Sequence, residues 1–137
     1  MKIHVDVVSA EGEIYSGSAT MVFAPALLGE IGILPRHAPL LTRLKPGHLR
    51  IQREGAEEEH VFVSGGLLEV QPHLVTVLAD IAERGDQIDE AEAEKAQQRA
   101  EDAVASANTH VDMARAHAEL AEAAARLELV KRMRGGH

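Results

Sequence analysis

Polar and apolar residues alternate from the start of the chain: Ile3, Val5 and Val7 are interleaved with Lys2, His4 and Asp6. A period of two places the two sets on opposite faces of a strand, so this segment predicts a strand with its apolar side turned to a core. Further strands are expected at residues 21–24, 49–52, 60–63, 67–70 and 74–78, several of them rich in β-branched residues. Between them fall Glu11-Gly12, Pro46-Gly47, Glu54-Gly55, Ser64-Gly65-Gly66 and Gln71-Pro72-His73, where glycine permits positive φ and proline presets a bend. Short strands at this spacing predict an antiparallel β-sandwich over residues 1–85, with a barrel as the related alternative.

The pattern changes at Arg84-Gly85-Asp86. Residues 89–126 hold 14 alanines in 38 positions and neither proline nor glycine, which predicts helix. A break is expected at residues 106–109, because Thr109 and Asp112 have the spacing of a capping box. Residues 86–137 then form an antiparallel two-helix hairpin, and the chain as a whole an α+β fold. Met113, Leu120 and Leu127 recur every seven residues, each followed three positions later by Ala116, Ala123 or Val130, a short seam for packing on another helix. Between Asp89 and Arg126 the only large aliphatic residues are Val104, Val111, Met113 and Leu120. At about 1.5–3 kcal/mol per fully buried side chain, they offset little of the ordering cost of so many residues. Docking of the hairpin on the sandwich is therefore expected to be marginal, which leaves one element with two available arrangements.

Composition narrows the functions. Over 137 residues, 45% hydrophobic and 26% charged is an ordinary globular balance. No apolar run approaches the roughly 20 residues of a spanning helix and the first residues do not form a signal sequence, so neither membrane insertion nor export is expected. The chain has no cysteine, which removes disulfides, thiolate catalysis and cysteine-ligated metals and accords with a reducing compartment. A net charge of −8, with Tyr15, Phe23 and Phe62 as the only aromatics, argues against nucleic acid as a partner.

Candidate chemistry is sparse. No phosphate loop, dinucleotide fingerprint or nucleophile elbow is present, and no catalytic residues are assigned. Ser64-Gly65-Gly66 reads as a turn between strands, not an activated serine. His110 and His117 would lie two helical turns, about 10 Å, apart, too far to share an ion, so neither a metal site nor a cofactor is expected. Glu57-Glu58-Glu59 reads as a solvated hairpin edge. At the carboxyl end Arg126, Lys131, Arg132 and Arg134 form a basic tip on an acidic protein, and two readings stand. Cations at a helix C-terminus are stabilised by its dipole, with Glu122/Arg126 and Glu128/Arg132 as i,i+4 pairs; or the tip docks on an acidic partner. The stretch 29–41 is apolar but broken by glycine and proline, which reads as a surface loop that either caps the sandwich or meets a partner.

Gly29-Glu30-Ile31-Gly32-Ile33 with Pro35 and His37-Ala38-Pro39-Leu40-Leu41, followed by Lys45-Pro46-Gly47, resembles the epsilon-subunit family of F-type ATP synthases. Val63-Ser64-Gly65-Gly66-Leu67-Leu68-Glu69-Val70, Val75-Thr76-Val77-Leu78-Ala79-Asp80 and Ile88-Asp89-Glu90-Ala91 continue the match in the family's order, so that it spans essentially the whole chain. The resemblance implies a ten-stranded sandwich followed by a helical hairpin. It also implies a rotor subunit without bond chemistry of its own, on the cytoplasmic face of the bacterial plasma membrane. Its partners would be the gamma subunit, the ring of c subunits and the alpha and beta subunits of the catalytic head. By the same resemblance Glu30, Ile31, Gly32, Ile33, Pro35, His37 and Ala38 would contact the c ring. The hairpin would either fold on the sandwich or extend along gamma, where Arg126, Lys131, Arg132 and Arg134 meet acidic beta-subunit segments and block ATP hydrolysis.

Some family members bind ATP on the folded hairpin through a Leu/Ile-Asp-x-x-Arg-Ala motif and arginines of the second helix. Here Ile88, Asp89 and Ala93 fit, Glu92 stands at the motif arginine, and Glu122 lies one turn before Arg126. Asp89 and Arg126 are weak candidates at most, and little or no nucleotide binding is expected because two carboxylates would repel a triphosphate. A nucleotide-sensing module is the second functional reading, and a free-standing β-sandwich enzyme the third, lacking an acid–base or metal set.

Overall fold

The computed structural model describes residues 1–135; the last two positions of the expected hairpin, Gly136 and His137, lie outside them. Ten strands come first: β1 Ile3–Ser9, β2 Gly12–Ala19, β3 Met21–Ala26, β4 Gly29–Ile33, β5 Leu40–Leu44, β6 Gly47–Gln52, β7 Glu59–Val63, β8 Gly66–Val70, β9 Leu74–Ala79 and β10 Ala82–Arg84. They form one continuous sheet in the order β10-β7-β6-β3-β5-β8-β9-β1-β2, with β4 paired to β3. The passage from β3 to β5 rests on the single pair Ala26↔Leu44. The sheet folds over there, giving two layers whose outer strands β10 and β2 come back into contact. The pairing is not wholly antiparallel as expected, because β1 runs parallel to β9.

The period-two reading of β1 holds, with Ile3, Val5 and Val7 all turned into the core. Val22, Ile33, Leu49, Ile51, Val61, Val63, Leu68, Val75 and Val77 complete it, every one sealed from water. The stretch 29–41, expected to be a surface loop, is corrected: residues 29–33 are strand β4 and residues 40–41 open β5, which leaves only residues 34–39 as a connection. Residues 29–33 pair along β3 from Ala26↔Gly29 to Val22↔Ile33, so Ile31 and Ile33 alternate with Glu30 and Gly32 like any half-buried strand. β2 also escaped the period reading: its fully inward side chains are only Tyr15 and Ala19 among serines and glycines.

A short 3₁₀ turn, Gly85–Gln87, leads to α1 Glu90–Ser106 and α2 His110–Gly135. Asp89 caps α1, its carboxylate accepting the Glu92 N–H at 3.0 Å. Thr109 Oγ1 accepts the Asp112 N–H at 3.0 Å, so the expected break and its cap are both present. The Glu128/Arg132 pair forms at 3.1 Å, whereas Arg126 turns away from Glu122 to other partners.

Candidate functional site

The seat of the hairpin on the sandwich is the most elaborate surface of the molecule. β6 and β7 alternate so that Leu49 and Ile51 enter the core while His48, Arg50, His60 and Phe62 stand on the opposite face, which α2 crosses; Arg50 lies over the Phe23 ring and pairs with Glu30. Phe62 is fully buried there, in a second apolar cluster with Ile88, Ala93, Leu127, Leu129 and Val130, flanked by Ala125 and Met133. Gly85 completes the fit: a Cβ on it would collide with the Met133 Sδ and lie 3.3 Å from the His60 Cβ.

This cluster revises the expectation of marginal docking. The large anchors lie in α2 beyond Arg126, past the stretch on which that expectation was built, and Leu129 has 0% exposure. Loose packing is confined to the tip, where Val111 is 68% exposed and Met113, the first residue of the expected seam, is also exposed. Ala116, Leu127 and Val130 of that seam are buried.

Ion pairs reinforce the seat. Arg126 donates through Nε to Glu83 Oε1 on β10 at 2.8 Å and through Nη1 to Glu92 Oε2 on α1 at 2.5 Å. Burial opposes its charge, but bonds to Glu83 and Glu92 outweigh that and hold its pKa above the ordinary range. Arg134 pairs with Glu90, and Arg132 with Glu128. Lys131 is exposed and has no ion-pair partner among the described residues. The four basic residues therefore do not form one patch in this arrangement: two of them clasp the hairpin to itself or to the sandwich.

Beside Arg126 runs a groove of about 350 Å³ lined in part by Ile81, Glu83, Arg99, Glu119 and Glu122. Burial, then the neighbouring Glu119, pushes the Glu122 carboxyl above its usual range, with Asp80 and Glu83 adding to the effect and Arg126 opposing it. A polyphosphate in this groove would face the carboxylates of Glu83, Glu119 and Glu122, with Arg99 in its favour and Arg126 already bonded to Glu83 and Glu92. Asp89, the other weak nucleotide candidate, is committed to its cap.

The β4–β5 connection lies elsewhere on the sandwich. The His37 N–H donates to Leu34 O at 3.1 Å, closing a turn in which Arg36 takes a positive φ of 69°. The Arg36 N–H donates to Pro72 O, tying the turn to the β8–β9 connection. Glu30, Gly32 and Ala38 are exposed, Ile31, Pro35 and His37 half-buried, and Ile33 is wholly inside the core. Glu30 pairs with Arg50 at 3.2 Å, and Leu27, Leu28, Leu34 and Leu41 add exposed aliphatic surface to β4, β5 and their connections.

Other sequence candidates resolve simply. Ser64 Oγ accepts the Ile81 N–H in a turn where Gly65 and Gly66 both take positive φ. Glu59 departs from the solvated edge expected of it, being half-buried and bonded by Arg84 at 2.8 Å. His110 and His117 are exposed, and no group of three metal-ligating side chains occurs among the described residues. Sequence reasoning did not single out His4, Asp6 and Ser16, which cluster on the edge: Ser16 Oγ donates to Asp6 Oδ1 at 2.7 Å, and His4 Nε2 lies 2.8 Å from the same oxygen. The serine proton points to the carboxylate and not to the imidazole, so this is no activated nucleophile. No described helix is long and apolar enough to cross a membrane.

A ten-stranded sandwich carrying a seated helical hairpin defines a two-part protein. The family description "ATP synthase, Delta/Epsilon chain, beta-sandwich domain" matches residues 2–85, and "ATP synthase, Delta/Epsilon chain, long alpha-helix domain" matches residues 86–131. The chain belongs to this delta/epsilon family of ATP synthase subunits, and its curated bacterial relatives are epsilon chains. It is 60% identical over 134 residues to the ATP synthase epsilon chain of Nitrosococcus oceani, covering 98% of this chain and 96% of that one. The epsilon chain of Thioalkalivibrio sulfidiphilus is 56% identical over 135 residues, with the same coverage of 98% and 96%. Among solved structures, a chain of the Euglena gracilis mitochondrial ATP synthase superposes with a TM-score of 0.80 at 21% identity, over 90% of this chain and 78% of that chain. A chain from the central stalk and c-ring of the Tetrahymena thermophila enzyme gives 0.63 at 16% identity, over 97% and 96%. These two likenesses concern the fold.

Proposed function

We propose that this chain is a non-catalytic rotor subunit of a bacterial ATP synthase, on the cytoplasmic face of the membrane, that couples proton-driven rotation to ATP synthesis and restrains ATP hydrolysis through a mobile hairpin. In this reading residues 1–85 hold the gamma subunit and the c ring. Glu30, Ile31, Gly32, Pro35, His37 and Ala38 supply the ring contact, and the buried Ile33 anchors them. Residues from 86 onward are the regulatory part, reaching the alpha and beta subunits when extended.

The observation that carries the regulatory half is the uneven attachment of the hairpin: an apolar seat and ion pairs at its base, exposed Val111 and Met113 at its tip. Such an element has one firm seat at its base and a tip that adds little to it, so release turns on the few residues of the seat. Arg126 ties α2 to the sandwich through Glu83, and Glu92 and Glu90 tie Arg126 and Arg134 to α1, so release from the sandwich together with separation of the two helices would free both to join Lys131 and Arg132 in a basic tip. The same charges would then hold the hairpin closed in one arrangement and bind acidic beta-subunit surface in the other.

The test is ATP hydrolysis by the purified catalytic head, alone, with the full chain, and with a version ending at Ile88. Inhibition by the full chain that the shortened one loses is expected. Equal rates in all three, with binding to gamma retained, would remove the inhibitory role and leave a coupling subunit. The nucleotide-sensing alternative draws only on the groove beside Arg126, and its carboxylates weigh against it.

A further inference from the structure

Beneath α2, on the outer face of β6 and β7, two histidines stand side by side. The rings of His48 and His60 are 5.9 Å apart, centre to centre, tilted by 41°. His48 Nε2 and His60 Nδ1 are both buried without a hydrogen-bond partner among the described residues. A bare imidazole nitrogen is tolerable while it is an unprotonated lone pair; as an N–H on a charged ring it would be an unmet donor in a dry place.

We propose that the His48–His60 pair, half-buried against the C-terminal helix with orphaned, buried ring nitrogens and cations on several sides, is a proton-operated release for the hairpin. Acidification would drive α2 off the sandwich by charging His48. The proposal rests on the mobile-hairpin reading above and adds the signal that moves it.

The groups around His48 decide the direction. On its own strand stands Arg50, on β7 His60, and on α2 Arg132, opposed by Glu128. Lys45 and Glu30 line the same groove and offset each other in charge. Glu128 is already bonded to Arg132 at 3.1 Å, which blunts the one acid on the covering helix. Burial first, and then Arg132, His60 and Arg50, hold the His48 pKa below the ordinary histidine value. His60 differs: its Nε2 lies 3.4 Å from Glu58, a contact inside the sandwich that survives whether or not the helix is seated.

With the helix gone, His48 faces water and titrates near the ordinary value of about 6.5. Above that pH both states carry a neutral ring and docking is at full strength. Below it the open state takes the proton more readily, so the docked state loses ground as pH falls from about 6.5 toward the depressed docked value. Glu122 acts the other way. Its raised pKa, set by burial and by Glu119, Asp80 and Glu83 against Arg126, favours docking as acid neutralises it, above the range of an ordinary carboxylate, and so partly offsets the effect of His48.

The absence of cysteine allows the full chain to be labelled at two introduced positions, Glu54→Cys on the sandwich and Lys131→Cys on α2, for energy-transfer measurement of the docked and open populations. Between pH 8 and 5.5 the docked-to-open ratio of the otherwise native chain should fall by up to about tenfold, and His48→Gln should flatten the response to less than about twofold. A separate NMR titration of His48 in the unmodified full chain, independent of whether the variant folds, should give a midpoint below that of an exposed histidine. An unchanged ratio, an equal fall in His48→Gln, or an ordinary or raised His48 midpoint each overturns the proposal. Arg126→Gln at pH 8 separates the two layers of inference. If it opens the hairpin while acid does not, the switch fails and the mobile hairpin stands; if neither opens it, both fail.

Discussion

Arg126 shows how much one side chain can decide. Its side chain is 17% exposed, it spans β10 and α1, and it turns Glu92 from a liability into a partner. Because Glu83 and Glu92 keep some access to water, replacing Arg126 by Gln should weaken docking by only about 1–2 kcal/mol, a shift of roughly five- to thirtyfold in the docked-to-open ratio. Slower amide exchange in α1 of the variant than in the parent chain would contradict this. The i,i+4 rule paired Arg126 with Glu122, and it failed because a part-buried arginine gains more from two carboxylates across an interface than from one along its own helix.

At the scale of elements the hairpin is a graded structure. Leu129 is completely enclosed, so Leu129→Ala should cost about 2–4 kcal/mol of docking, whereas Val111→Ala at the exposed tip should change docking by less than about 0.5 kcal/mol. Hydrogen exchange of α1 and α2 in the two variants checks both; equal effects would mean that the hairpin is held along its whole length. Strands with inward β-branched residues, such as β1, β6 and β9, were legible in the sequence because burial on one face writes a period of two. β2 was not, since Tyr15 and Ala19 are its only fully inward side chains, nor β4, whose Gly29 and Gly32 imitate a loop. The helix break was legible because Thr109 announces a cap. The seat was not: Leu129 lies off the seven-residue seam, facing the sheet and not α1, and a one-dimensional pattern does not say which of two surfaces a helix will cover.

For the molecule as a whole, the proposed release of the hairpin would involve the same few residues that seat it. Phe62, sealed with 0% exposure, belongs to the sandwich and remains behind when α2 leaves. The vacated ground would present an aromatic ring, Ile88 and the flank of β6 and β7 to water, a sticky face on a small acidic protein. Mass action then enters: anything that covers that ground, a second molecule included, pulls the equilibrium toward the open form. Opening in isolation should therefore depend on protein concentration. Sedimentation of the Arg126→Gln variant should show dimers that increase between micromolar and submillimolar concentration, while the parent chain stays monomeric; identical monomeric profiles would contradict it. Inside an assembly, the same exposed ring would set how long the arm stays out, because each return must displace whatever has taken its bed.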